Sequence, residues 1–124
     1  MSRKVLNVGQ CDFDHGRIKY ILEQQFDVEV VRANSHDEGI KGAQDQSYDL
    51  VLVNRLLDLD GSPGMDVLRS LKSLPATSEV PVMLVSNYSD AQDAAVAEGA
   101  VMGFGKATLD SEETIQLLGE YLAD

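Results

Sequence analysis

The chain has a single cysteine, Cys11, among 124 residues, so it cannot form an internal disulfide, and no grouping of cysteine and histidine has metal-site spacing. The lack of a disulfide framework points to a reducing compartment, and the cytoplasm is the expected location. Long apolar runs are also missing. No stretch approaches the roughly 20 residues that cross a bilayer, and the opening MSRKVLNVGQ is too poor in apolar residues for a secretory signal. Basic residues are scarce: ten Lys and Arg face 21 Asp and Glu, a net charge of −11. Such an excess repels phosphate backbones and anionic lipid, which argues against nucleic acid and membrane as partners. With no repeat, low-complexity tract or linker, residues 1–124 read as one domain, and a 44% apolar content suffices for one core.

What is present is an alternation. Val5 to Val8, Val28 to Val31, Leu50 to Val53 and Val82 to Val85 are short apolar runs that read as strands, with Val101 to Lys106 as a weaker fifth. The third and fourth are continuously apolar, as central parallel strands covered on both faces must be, while Val28 to Val31 suits a place nearer an edge. Helical patterns lie between them. Ile18, Ile21 and Leu22 share one face of a helix ending before Phe26; Val67, Leu68 and Leu71 follow Ser62-Pro63; Ile115, Leu118 and Leu122 stripe the last helix. Ser35 with Glu38, Ser89 with Gln92 and Asp110 with Glu113 have the spacing of helix-start caps. The expected fold is α/β: a five-stranded parallel sheet, order 2-1-3-4-5, flavodoxin-like, with helices on both faces. Chemistry on such a sheet gathers beyond the carboxyl ends of the strands.

Two stretches carry a family likeness. Tyr48-Asp49-Leu50-Val51-Leu52-Val53-Asn54 with Pro63-Gly64-Met65-Asp66-Val67-Leu68, and Val80-Pro81-Val82-Met83-Leu84-Val85-Ser86 with Glu98-Gly99-Ala100 and Gly103-Phe104-Gly105-Lys106, resemble response-regulator receiver domains of the CheY-like kind over essentially the whole chain. The resemblance implies a phosphoacceptor aspartate at the end of the third strand, where this chain has Asn54. It implies two Mg²⁺-binding acids after the first strand, where this chain has Gly9 and Gln10. Three other family positions are kept: Ser86 as the phosphate-binding hydroxyl, Lys106 as the partner lysine, and Phe104, two residues before it, as the rotating switch aromatic.

A neutral carboxamide is a far weaker nucleophile than a carboxylate, so Asn54 is not expected to accept a phosphoryl group. Gly9, Gln10 and Asn54 offer no carboxylate for Mg²⁺, so metal binding is expected to be lost or weak, and no cofactor is expected. Asp12, Asp14, Asp58 and Asp60 lie near this edge, Asp12 and Asp58 being the weak candidates for a displaced metal ligand, and Lys106 is expected either to pair with an acid such as Asp12 or Asp58 or to turn to solvent. A longer loop, Arg55 to Ser62, precedes Pro63-Gly64 and could cover the emptied site or form a packed turn on Leu57 and Leu59. Ala107 stands where the family has proline, so no cis peptide is expected there. His15 and His36 read as solvated surface histidines, and Cys11 as a plain small side chain.

The expectation is therefore a degenerate or pseudo-receiver: no enzyme, but a phosphorylation-independent interaction module of two-component signalling, with protein partners such as a histidine kinase or an output domain. Two alternatives stand beside it. One is an active phosphoacceptor using a displaced aspartate such as Asp58; the other is a small-ligand-binding flavodoxin-like domain.

Overall fold

The computed structural model describes residues 2–123. Five strands, β1 (Arg3–Val8), β2 (Val28–Ala33), β3 (Leu50–Asn54), β4 (Val82–Val85) and β5 (Val101–Phe104), alternate with α1 (Asp12–Gln25), α2 (His36–Asp45), α3 (Gly64–Ser73), α4 (Ser89–Ala97) and α5 (Glu112–Leu122). The sheet is parallel in the order β2-β1-β3-β4-β5, which is the expected topology. Leu50 to Val53 and Val82 to Val85 are wholly buried, because β3 and β4 lie inside the sheet with apolar layers on both faces. One layer contains Leu6, Val8, Val51, Val53, Val67, Leu68 and Leu71; the other contains Val5, Ile18, Leu22, Leu52, Val85, Phe104, Leu118 and Leu122.

Helix starts differ in part from the sequence pattern. At Ser35 the cap forms, with Glu38 N–H donating to Ser35 Oγ at 3.1 Å, and Glu38 Oε1 accepts from Asn34 N. At α5 the cap is Ser111, whose Oγ accepts from Thr114 N at 3.2 Å, one residue beyond the expected Asp110 and Glu113. At α4 neither Ser89 nor Gln92 caps. Gln92 is buried, and its Nε2 donates to Leu84 O at 2.9 Å and Ser86 O at 3.2 Å while its Oε1 accepts from Gly103 N at 3.0 Å. The spacing that mimics a cap therefore serves to fasten α4 to β4 and β5, at the short, irregular pairing between those strands. No described peptide bond is cis, the one before Ala107 included.

Candidate functional site

The carboxyl edge of the sheet is built from β1, β3, β4, β5 and the loops that leave them. After β1 the chain turns sharply at Gly9, φ +80°, where a side chain would be strained and would also run into Leu57. Leu57 is 1% exposed, so the longer loop after β3 does fold back and fill the space beside Gly9, while Leu59, the other residue expected in a packed turn, is exposed. The loop is locked by backbone bonds: Asp58 N donates to Gly9 O at 2.9 Å, and Leu57 N to Ser62 O at 2.8 Å.

Asn54 completes this seal. Its Nδ2 donates to the same Gly9 carbonyl at 3.1 Å, so the amide ties the end of β3 to the end of β1. A carboxylate has no proton to give there. Gln10 is 1% exposed and its carbonyl accepts from Arg32 Nη2 at 3.1 Å, while its side-chain amide finds no protein partner. The positions where the resemblance implies acids thus hold a glycine with no room for a side chain and a buried, neutral amide.

Lys106 has found a carboxylate, but not one of those expected. Its Nζ lies 2.8 Å from Asp14 Oδ2. Asp12, at the first residue of α1, instead meets Arg32 of β2 at 2.8 Å, and Asp58 is exposed in the loop beyond Gly9. The geometry of the first helical turn explains the exchange: Asp12 and Asp14 leave α1 in different directions, one toward β2 and the other toward the end of β5. Burial pushes the Asp14 carboxyl up, but hydrogen bonds from Lys106 and Cys11 with the nearby charges of Lys106 and Arg17 bring it below the ordinary value. Cys11 is the cap of α1, its Sγ accepting from Asp14 N and lying 3.3 Å from Asp14 Oδ2.

The donor set does not suit Mg²⁺. Asp12 and Asp14 are each engaged by a cation, Asp58 stands apart, and among the described residues no group of three or more His, Cys, Asp and Glu side chains is placed to hold a metal ion. His15, expected at the surface, is partly buried, with Nδ1 3.1 Å from Asn7 Nδ2; burial, then Arg32 and Lys19, hold it below the ordinary imidazole value. His36 lies 2.9 Å from Ser70 Oγ and joins α2 to α3.

On the other side of Asn54 the edge is open. A cavity of about 260 Å³ is lined by Asn54, Arg55, Ser86, Asn87, Tyr88 and Lys106. The Arg55 guanidinium lies over the Tyr88 ring, 5.0 Å from its centre. Ser86 Oγ accepts from Tyr88 N at 3.1 Å, and Asn87 Oδ1 accepts from Ala107 N at 3.1 Å. Phe104, the expected switch aromatic, is 5% exposed in the apolar layer shared with α1 and α5. The neighbouring position facing Gln92 is Gly103, which has no side chain to rotate. Sequence reasoning missed Arg55 and Asn87, and it placed Asp14 near this edge without seeing it as the partner of Lys106. Arg55 and Asn87 each directly follow a position identified from the sequence, Asn54 and Ser86, so adjacency was the available signal. A larger cavity, about 630 Å³, lies at the opposite edge beside Asp45, Tyr48, Asp49 and Glu79. It is remote from the strand carboxyl ends where this architecture collects function.

No family model matches the sequence, and no curated protein does. Solved structures do match in shape. A candidate response regulator from Chloroflexus aurantiacus superposes with a TM-score of 0.85 at 20% identity, covering 100% of both chains. The signal receiver domain of a DNA-binding response regulator from Colwellia psychrerythraea gives 0.80 at 21% identity, over 95% of this chain and 96% of that one. The receiver domain of a sensor histidine kinase from Pseudomonas aeruginosa, with a magnesium ion in its active-site cleft, gives 0.74 at 16% identity over 100% of both. The fold is that of receiver domains. Among the described residues no helix is long and apolar enough to cross a membrane.

Proposed function

We propose that this chain is a receiver-like module of two-component signalling that works by protein interaction, without catalysis and without phosphorylation at position 54. One observation carries the reading: the Asn54 amide donates to Gly9 O at 3.1 Å, beside the Asp58 N–H on the same carbonyl. The residue where a nucleophile would stand is a structural donor, and it needs to be an amide to act as one. Gly9 and Gln10 support the same reading, since neither offers a charge that would draw a metal ion toward Asn54. The partners we infer are signalling proteins, a histidine kinase or an output domain among them, and the compartment is the reducing cytoplasm that the single cysteine suits.

The test is direct. The protein, incubated with acetyl phosphate and Mg²⁺, is expected to keep its mass. A stable adduct of about 80 Da would overturn the reading. Mapping such an adduct to Asp58 would establish the displaced phosphoacceptor in its place.

A further inference from the structure

We propose that the open pocket beside Asn54 binds, without covalent chemistry, the carboxylate of an acidic side chain presented by a protein partner. The inference rests on the preceding reading and names the chemistry of the partner.

The charge of the lining is the first argument. Acids outnumber bases 21 to ten in this chain, yet the cavity wall holds Arg55 and Lys106 and no carboxylate. The second is that Arg55 has no anionic partner of its own. Arg3 meets Asp49, Arg32 meets Asp12, Arg69 meets Asp66 and Glu98, and Arg17 donates to Lys106 O. Arg55 alone among the described arginines makes no ion pair or side-chain hydrogen bond, and it rests on Tyr88. That stacking holds a planar fork of donors in place, the shape that takes a carboxylate on two parallel hydrogen bonds.

The neutral groups are arranged to the same end. Because Ser86 Oγ already accepts from Tyr88 N, its proton is free to be donated into the cavity. Because Asn87 Oδ1 already accepts from Ala107 N, its amide nitrogen is the group left to donate. The rim decides between a free ion and a side chain. Leu56 and Tyr88, which flank the cavity, are 44% and 61% exposed, an apolar border that gives a small inorganic anion nothing and covers well with a peptide. Lys106, paired with Asp14, supplies a partly neutralised charge that favours a monoanion over phosphate.

The experiment is an amide and arginine side-chain NMR titration of the protein in EDTA, with no phosphodonor and constant ionic strength. The probes are acetyl-Leu-Glu-Leu-amide, its glutamine counterpart and inorganic phosphate. The glutamate peptide is expected to give saturable shifts at Arg55, Ser86, Asn87 and Lys106, and the glutamine peptide to bind about tenfold more weakly or worse. Arg55→Met is expected to abolish the difference between the peptides, and Tyr88→Leu to weaken glutamate-peptide binding about threefold by freeing the guanidinium. If Arg55→Met does not fold, Tyr88→Leu decides. Equal binding of the two peptides, saturation by phosphate at lower concentration than by the glutamate peptide, or no shift at all would each overturn the proposal. A failed titration with no mass adduct in the phosphodonor test removes this pocket's ligand and leaves the interaction module standing; an adduct removes the module itself.

Discussion

The two sides of Asn54 have been treated in opposite ways. Toward β1 the edge is neutral and closed: Gly9, Gln10 and Leu57 leave no charge and no space, and the Asn54 amide and the Asp58 backbone fasten the closure. Toward β4 and β5 the edge is cationic and open, with Arg55, Ser86, Asn87 and Lys106 around a cavity. Loss of a metal site alone would require only the missing acids. The packed leucine and two hydrogen bonds on one side, with donors facing a cavity on the other, are what the proposed interaction module requires beyond that. The contrast makes the two sides separable by substitution.

The largest effect is expected where the open side is held up. Gln92 supplies both a donor and an acceptor inside the junction of β4, β5 and α4, so Gln92→Ala leaves Gly103 N–H without its acceptor, takes a donor from Leu84 O and Ser86 O, and opens a void. We expect a loss of about 3 kcal/mol in urea unfolding, combining unpaired buried groups with the cavity. Retention of parent stability would show that water replaces the amide.

On the closed side, Gly9→Asp puts an acid where the resemblance to receiver domains implies one. The left-handed backbone and the Leu57 side chain both oppose it, and we expect a cost of about 2 kcal/mol. Adding Leu57→Ala should relieve the clash but uncover the core, so the pair should not recover parent stability. Asn54→Asp costs less, about 1 kcal/mol, because the residue is only partly buried and what is lost is one hydrogen bond to Gly9 O, replaced by two facing acceptors. It should still take no label from acetyl phosphate with Mg²⁺, since neither neighbouring position supplies a carboxylate for the metal. Labelling of this variant at parent stability would show that the closed side yields easily and that Asn54 alone had silenced it.

The fold was legible because apolar runs and helical stripes are properties of segments. Leu50 to Val53 announces a strand covered on both faces wherever it is placed. The site was half legible. Asn54, Gly9 and Gln10 could be located by their distance from recognisable strands, and what they lack is a matter of residue type. Which acid meets Lys106 depends on how Asp12 and Asp14 fan out from one helical turn, and two acids two residues apart look alike in a sequence. Gln92 misled for the related reason that a side chain three residues into a helix can turn back to the cap or down into the sheet with the same spacing.

The smallest expected effect separates the two sides by pH. His15, on the closed side, has a folded-state value below the ordinary 6.5, so the unfolded chain takes up the proton first. Its contribution to stability is therefore whole above about pH 6.5 and is lost as pH falls from there through the folded value. Asp14, which holds Lys106 on the open side, also sits below its ordinary 3.8, so its contribution survives that first decline and is lost only as pH falls below about 3.8. Partial exposure keeps each contribution under about 1 kcal/mol. Urea unfolding of the parent between pH 8 and pH 3 should then show two shallow declines, and His15→Gln should flatten the upper one while leaving the lower. If His15→Gln leaves the decline below pH 6.5 unchanged, burial and the charges of Arg32 and Lys19 do not hold the imidazole neutral, and the upper decline belongs to another group.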